Sequence, residues 1–145
     1  MKVLYVSQQH GPHDRRFLAA IAEAGHTVLF LCTAPERVQA ALLPASVQLL
    51  RGSVAEIARQ HRPDVVHAGP LHTCAWQART TQPLVAMSWG SDILYTAQRS
   101  PIARYKTRAA LRAARVLIAD CEAVVDAAAA LGFDPARAVI YPWGI

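Results

Sequence analysis

The chain has 145 residues, of which 53% are hydrophobic, and its 15 lysines and arginines outnumber the 10 acidic residues to give a formal net charge of +5. This length suits one ordinary domain with a substantial core and leaves no room for a second complete domain. No apolar run approaches the ~20 residues of a membrane span, and the three cysteines are too widely spaced for a disulfide scaffold or a zinc site.

The N-terminal segment enters a strand-like apolar run at once, without the charged, apolar and small-residue succession of a signal peptide. Reduced thiols and the absence of such a leader predict a cytoplasmic protein.

The first half of the chain predicts strands alternating with helices. Residues 2–7 form an apolar run, and an amphipathic helix that opens near Asp14 and ends at Gly25 follows a polar loop. The apolar run 27–32 is typical of a strand covered on both faces, which favours a parallel sheet. Next come a short helix around 36–43, a strand at 47–50, and a helix at 54–61 with a capping box from Ser53 and Glu56.

The second half continues this alternation. The sequence predicts strands at 65–67, 84–87, 116–119 and 138–141, and helices at 73–79, about 101–114 and 122–131. The whole pattern indicates an α/β fold, a Rossmann-like doubly wound parallel sheet with helices on both faces and right-handed crossovers. Ligands of such sheets bind outside the carboxyl ends of the strands.

The loop from Gln8 to His13 lies at such a carboxyl end and before a helix N-terminus, which favours an anion such as a diphosphate near Gly11 and His13. The loop lacks both Gly-x-Gly-x-x-Gly and Gly-Lys-Ser/Thr, which excludes an ordinary dinucleotide dehydrogenase and a phosphate-loop nucleotidase. The alternative is a plain surface loop in which Asp14 caps the helix.

The loop Ser88-Trp89-Gly90-Ser91-Asp92 follows the fifth strand and also faces the predicted cleft. The flat face of Trp89 suits stacking against a sugar or lipid acceptor, and its indole carries one N–H donor. Gly90 allows a substrate to approach the backbone closely. Asp92 is a candidate for holding a sugar hydroxyl, and the alternative role of Ser91 or Asp92 is a helix N-cap.

Histidines flank the loop after the fourth strand, at positions 67 and 72. Neither this pair nor His10 with His13 has a third partner at a metal-binding spacing, so we predict no metal site. His72 is a candidate acceptor contact or base because imidazole titrates near neutral pH. A structural role is the alternative for both His67 and His72.

Four arginines form one stripe on the basic helix, since they follow each other at helical spacing: Arg104, Arg108, Arg112 and Arg115. An anionic membrane surface would compensate their mutual repulsion and give weak, reversible docking. Nucleic acid fits less well, because aromatic residues do not interleave with the arginines and no DNA-binding motif accompanies them. The alternative is an ordinary solvated helix face.

Four segments in this order resemble the N-terminal domain of a retaining glycosyltransferase of the GT-B fold, of the family-four type. They are residues 14–28, residues 63–68 (Pro-Asp-Val-Val-His-Ala), residues 84–92, and residues 114–119 together with Tyr-Pro-Trp-Gly-Ile at 141–145. The chain departs from the family's pattern at two places. Relatives often have Gly-Gly where this chain has Gly11-Pro12, and a histidine where it has Trp89.

The resemblance implies a domain organisation. Residues 1–140 would be the Rossmann-like, acceptor-side domain, and residues 141–145 would begin a linker to a C-terminal donor-binding domain that is absent here. That second domain would hold most of the nucleotide-sugar site, so this chain alone is expected to be inactive and to bind donor weakly.

The implied activity is a hexosyl transfer, with retention, from a nucleotide-sugar donor to a sugar or lipid-linked acceptor, without a cofactor. The catalytic residues are not identified by the resemblance. The candidate substrate-binding residues are Gly11, His13, His72, Trp89, Gly90 and Asp92. The alternative function is a stand-alone, non-catalytic Rossmann-like module that binds an anionic ligand or a protein partner. The expected location is the cytoplasm, with peripheral contact at the inner face of the membrane as an option.

Overall fold

The computed structural model describes residues 1–142, and Trp143, Gly144 and Ile145 of the predicted linker lie outside the described residues. Within 1–142 the strands are β1 (Lys2–Ser7), β2 (Thr27–Cys32), β3 (Val47–Leu50), β4 (Val65–Ala68), β5 (Leu84–Met87), β6 (Val116–Ala119) and β7 (Ala138–Ile140).

Helices and helical turns connect these strands. The α-helices are α1 (Pro12–Glu23), α2 (Val54–His61), α3 (Trp76–Ala78), α4 (Ala97–Arg99), α5 (Pro101–Ala113) and α6 (Glu122–Ala130). One π-helical turn, Leu71–Ala75, runs directly into α3, and another, Asp92–Thr96, runs into α4.

All the strand pairs are parallel, and the seven strands lie in the order β3-β2-β1-β4-β5-β6-β7. The order reverses between β1 and β4, where Val3 pairs with Val65 and Tyr5 pairs with His67. The connections from these two central strands leave in opposite directions, which opens a crevice above their carboxyl ends. The fold therefore places the loops after β1, β4 and β5 around one cleft.

The sheet separates two apolar clusters. The larger one lies between one face of the sheet and the inner sides of α2, α5, α6 and the helical segment after β4. The smaller one lies between the other face and α1, where Tyr5, Leu18 and Phe30 are fully buried. Both faces of the central strands are covered, which explains why their sequences are continuously apolar rather than alternating.

The structure confirms the predicted fold class and most of the element positions. The capping box at the start of α2 is present, because Ser53 Oγ accepts a hydrogen bond from the Glu56 N–H at 3.3 Å and Glu56 Oε2 accepts one from the Ser53 N–H at 3.2 Å. Helix α5 ends at Ala113, so Arg115 lies beyond the helix, just before β6. Its N–H donates a hydrogen bond of 2.8 Å to the carbonyl of Leu84, the first residue of β5.

Two predicted helices are wrong in form. The helix predicted around 36–43 is a pair of short 3-10 turns, Pro35–Arg37 and Ala40–Leu42, separated by extended backbone at Val38. Neither turn has a buried residue, so no apolar face supports a longer helix. The helix predicted at 73–79 begins earlier, at Leu71, because the fully buried Leu71 and Cys74 both pack into the larger core cluster.

Candidate functional site

A cavity of about 250 Å³ opens at the carboxyl edge of the sheet, between the loops after β1, β4 and β5. Its lining combines two serine hydroxyls, two glutamine amides, one proline and one indole ring: Ser7, Gln8, Gln9, Pro70, Trp89 and Ser91. Among the six predicted binding residues, Trp89 lines this cavity directly. Gln8 and Gln9 were not predicted as contacts, because only the topology brings the end of β1 opposite the loop after β5.

The loop after β1 is held down by Asp14, the third residue of α1. Asp14 is fully buried, its Oδ2 accepts a hydrogen bond from the Gly11 N–H at 2.8 Å, and its Oδ1 accepts one from the Tyr5 hydroxyl at 3.1 Å. Burial raises the pKa of this carboxyl, although the hydrogen bonds from Ser7, Gly11 and Tyr5 act in the opposite direction.

This arrangement leaves little for an anion at the start of α1. The Gly11 amide already has a partner, Pro12 has no N–H, and the Asp14 carboxylate occupies the position that an anion would favour. The geometry supports the alternative stated for this loop, in which Asp14 satisfies the helix terminus. A contact between Gly11 and a diphosphate stays a prediction.

Trp89 is half-buried beside His13 and Gly69. The rings of His13 and Trp89 meet edge to face, with centroids 5.7 Å apart. The indole Nε1 is buried without a hydrogen-bond partner among residues 1–142, and a methyl group at Gly69 would lie 3.1 Å from it. The N–H edge of the indole is therefore turned toward Gly69.

Asp92 joins the loops after β4 and β5. Its buried carboxylate accepts hydrogen bonds from Ser88 Oγ at 2.7 Å, from the backbone N–H groups of Trp89 and Ile93 at 3.1 and 2.9 Å, and from the Leu71 N–H at 2.7 Å. These contacts give Asp92 a positioning role at the start of a helical segment. A direct contact with a sugar hydroxyl stays a prediction.

The histidines occupy different environments. His10 is buried, and its Nδ1 accepts a hydrogen bond from the Gln39 N–H at 3.3 Å. His67 is buried between the rings of Tyr5 and Phe17, and burial lowers its pKa to about 4. His13 and His72 are half-buried, and the Nδ1 atom of each is buried and lacks a hydrogen-bond partner within the described part of the chain. These two imidazoles remain candidates for ligand contacts.

Asp120 is a carboxylate beside Gly90 that the sequence did not indicate. It follows β6 at the carboxyl edge, and a methyl group at Gly90 would lie 3.7 Å from its Oδ2. Its Oδ1 is buried and has no hydrogen-bond partner among residues 1–142. Gly90 has a φ of +73°, in the left-handed region that favours glycine. Nothing local in the sequence indicated this carboxylate, since the strand order alone brings it beside Gly90.

A second cavity, of about 430 Å³, lies between α1 and the β6–β7 side of the sheet. Its lining is mainly apolar and includes Phe17, Ile118, Val139 and Tyr141. It offers few polar groups that could orient a sugar, so the cleft with Trp89 is the better candidate site.

All four predicted arginines of the stripe have exposed side chains: Arg104, Arg108, Arg112 and Arg115. Three of them lie on α5, and its buried side consists of Ala103, Thr107, Ala110 and Leu111. Within residues 1–142, no helix has the length and apolar character needed to cross a bilayer. Over the same residues, His, Cys, Asp and Glu side chains form no group of three that could hold a metal ion.

The family model described as Glycosyltransferase Family 4 matches residues 13–145. No curated protein matches the sequence.

Solved structures share the fold. HepE from Anabaena, solved in complex with UDP, aligns with a TM-score of 0.70 and 18% identity over 100% of this chain and 44% of its own chain. The same protein was also solved with UDP-glucose. UDP-GlcNAc 2-epimerase from Neisseria meningitidis, bound to UDP-GlcNAc, aligns with a TM-score of 0.63 and 13% identity over 97% of this chain and 46% of its own.

At these identities the likeness to solved structures shows the fold alone. The present chain spans less than half the length of each of these structures.

Proposed function

Since the family model covers nearly all of it, this chain belongs to glycosyltransferase family 4, and we propose that it forms the acceptor-side half of a glycosyltransferase. In this proposal residues 1–140 are the N-terminal domain, residues 141–145 begin a linker, and a further domain binds the nucleotide-sugar donor. The complete enzyme would transfer a hexosyl group with retention, and the present chain alone would be inactive.

The strongest support for the proposal is the combination of uncharged polar side chains and one aromatic ring in the cleft lining. The cavity at the carboxyl edge presents hydroxyl and amide side chains from Ser7, Gln8, Gln9 and Ser91, together with the indole of Trp89. Uncharged donors and acceptors beside an aromatic face match the hydroxyls and the apolar ring face of a sugar. Among residues 1–142 no lysine or arginine lines this cavity, so the cleft suits a neutral sugar better than a diphosphate.

The hydrogen bonds of the first loop support a donor site elsewhere. Because Gly11 donates to Asp14 and Pro12 lacks an N–H, the N-terminus of α1 has little capacity for the phosphates of a nucleotide sugar. A second domain would then supply most of the phosphate contacts. The UDP and UDP-glucose bound in the HepE structures suggest a uridine diphosphate sugar as the first donor to test.

Five of the six predicted binding residues have a role in this proposal, and Gly11 instead donates its N–H to Asp14. Trp89 would stack on the acceptor, while the His13 ring supports the indole edge to face beside the cleft. His72 is the candidate base, and Gly90 gives the substrate access to the backbone. Asp92 positions the loop that carries Trp89.

Such a transfer depends on holding donor and acceptor in reacting geometry and on stabilising the leaving diphosphate. The proposal therefore assigns no metal or cofactor to this half. It places the enzyme in the cytoplasm, with the arginine stripe of α5 as its anion-binding surface, for a lipid-linked acceptor at the membrane.

Calorimetry of two proteins tests the proposal: the 145-residue chain, and the chain extended through the residues that follow Ile145 in its reading frame. Both are titrated with uridine and guanosine diphosphate sugars. Donor binding by the extended protein alone supports an acceptor-side half. Tight donor binding by the 145-residue chain contradicts it, because the phosphates would then be held by residues near Gly11.

The alternative, a stand-alone module for an anionic ligand or protein partner, is distinguished by the same experiment. A reading frame that stops at Ile145, together with no donor binding, would favour the module over the transferase.

A further inference from the structure

Four exposed apolar side chains lie on α5 and on the segment just before it. Leu94, Tyr95, Ile102 and Tyr105 have exposed fractions of 44%, 55%, 68% and 66%. We call these four residues the apolar strip. Single exposed apolar residues are ordinary on protein surfaces, whereas four within twelve positions require an explanation.

On the helix itself, the strip borders the arginine stripe. At 100° per residue, Tyr105 and Arg112 lie within about 20° of each other around the helix axis, on the side opposite the buried Ala103 and Ala110. Ile102 continues the apolar side and Arg108 continues the cationic side. The outward half of α5 is therefore itself amphipathic, with an apolar edge and a cationic edge, both facing away from the core.

Aromatic rings and guanidinium groups pair beside this helix. The Arg79 guanidinium lies 3.5 Å from the centroid of the Trp76 ring, and that ring is 5.7 Å from the ring of Tyr105. On the preceding segment, the Arg99 guanidinium lies 3.8 Å from the centroid of the Tyr95 ring. Rings that combine an apolar body with a polar tip, next to long cationic side chains, are typical of surfaces at a membrane interface.

We propose that the outward half of α5, with Leu94 and Tyr95, docks onto an anionic lipid bilayer. The arginines Arg104, Arg108 and Arg112 contact headgroup phosphates, and the apolar strip enters the boundary between headgroups and acyl chains. A planar interface meets both edges of the helix at once along its length of about 20 Å. Phosphates on a nucleic acid would engage the arginines but leave Ile102 and Tyr105 exposed, so the apolar strip favours lipid.

The charge distribution agrees with this partner. Residues 99–115 contain six lysines and arginines and no acidic residue. Basic residues near an anionic leaflet each contribute about 1 kcal/mol, and the buried apolar side chains add a contribution that salt does not screen. Electrostatic attraction and apolar burial together make the docking stronger than it would be with the arginine stripe alone.

The strip lies at the cleft end of α5. Leu94 and Tyr95 follow Asp92 at the carboxyl edge of the sheet, and Ile102 lies in the first turn of the helix. Docking itself is independent of glycosyl transfer. Its benefit rests on the proposed function, because the docked orientation would hold the sugar-binding cleft beside a lipid-linked acceptor.

Flotation of the chain with phosphatidylcholine vesicles, with and without phosphatidylserine, tests the docking in the absence of any sugar donor. Binding is expected with phosphatidylserine alone. Arg108→Gln should lower the partition coefficient about fivefold, the equivalent of about 1 kcal/mol, and Arg108→Gln with Arg112→Gln about 25-fold. Ile102→Ser should lower it severalfold, and this loss should persist at high salt.

The matched controls are Arg59→Gln and Leu42→Ser, which change an exposed arginine and an exposed leucine away from α5. Neither should alter vesicle binding. A thermal unfolding curve checks each variant, and Arg104→Gln replaces any stripe variant that does not fold.

Three outcomes would overturn the inference: no binding to phosphatidylserine vesicles, equal losses in the controls, or displacement by duplex DNA with no effect of Ile102→Ser. Since no donor is present, a negative result here leaves the calorimetric test of the proposed function unaffected.

Discussion

The backbone N–H of Leu71 donates a hydrogen bond of 2.7 Å to the Asp92 carboxylate, across 21 positions of sequence. Leu71 begins the π-helical turn after β4, and Asp92 begins the one after β5. One buried carboxylate thus ties together two of the three loops around the cleft, and it fixes the loop that presents Trp89.

Asp92→Asn is expected to destabilise the chain by about 1–3 kcal/mol. The amide group of asparagine replaces one acceptor oxygen by a donor, so it cannot accept the hydrogen bonds from Leu71 and from Ser88, Trp89 and Ile93 together. Urea unfolding measures the difference. Asp126→Asn on the exposed side of α6 is the matched control and should change stability by less than about 0.5 kcal/mol. Equal stability of the two variants would contradict a structural role for Asp92.

Gly69→Ala is expected to be more destabilising than Gly25→Ala. A methyl group at Gly69 would lie 2.6 Å from the Met87 carbonyl oxygen, and this backbone atom cannot move without disturbing the sheet. At Gly25, with φ +79°, a methyl group would meet no atom of the described residues within 4 Å, so the cost is limited to backbone strain of about 1–2 kcal/mol. Urea unfolding of both variants compares them, and a smaller loss at Gly69 would mean that the β4 and β5 ends can separate at little cost.

Acid should weaken the fold through His67. Burial lowers the pKa of His67 to about 4, whereas an unfolded histidine titrates near about 6.5. Between these values the unfolded chain binds more protons than the folded chain. The contribution of His67 to stability is therefore complete above about pH 6.5 and falls as the pH falls toward 4, by at most about 1.4 kcal/mol per pH unit.

The groups around His67 allow this effect to be isolated. The rings of Tyr5 and Phe17 face the imidazole, and Tyr5 also binds Asp14, whose pKa is raised by burial. A raised carboxyl pKa acts in the opposite sense, because the folded chain then binds a proton more readily than the unfolded chain as the pH falls. His67→Leu removes the pH-dependent contribution of His67 to stability and keeps that of Asp14. The variant should lose less stability than the parent between pH 6.5 and 5, and parallel curves would contradict the assignment.

In the proposed complete transferase, Trp89→Ala is expected to lower kcat/KM for the acceptor by about 10- to 100-fold, which corresponds to about 1.4–2.8 kcal/mol. The alanine removes the aromatic face that lines the cleft. Trp89→Phe keeps such a face, and it loses an N–H that is already buried, so it should stay close to the parent. Initial rates measured with varied acceptor and with varied donor distinguish an effect on the acceptor site from an effect on the donor site. A change in the KM of the donor alone would place Trp89 outside the acceptor site.

The sequence predicted the sheet well because strand signals here are local. The continuously apolar runs of β1 and β2 reflect burial on both faces, and the capping box of Ser53 and Glu56 is a pattern within four residues. The 3-10 turns at residues 35–42 were missed because spacing alone cannot show whether an apolar side has anything to pack against.

The cleft was predictable by its loops but not by its contacts. Trp89 could be placed at the carboxyl edge from its position after a strand, whereas the direction of its N–H depends on its packing against Gly69. Strand order and helical packing bring Asp120 close to Gly90, and they also bring Leu71 close to Asp92. Such contacts join residues that are remote in sequence, and one sequence carries no signal for them.

Val3 in β1 pairs with Val65 in β4 near the centre of the sheet, and this pairing determines the stage of folding at which the cleft forms. Strands β1, β2 and β3 follow each other along the chain, whereas the β1–β4 pairing joins Val3 to Val65 over a sequence separation of about 60 residues. Loop closure of this length is entropically costly and slows folding. The crevice above β1 and β4 forms in that same step, so a chain that has paired only β1, β2 and β3 has no cleft at the carboxyl edge.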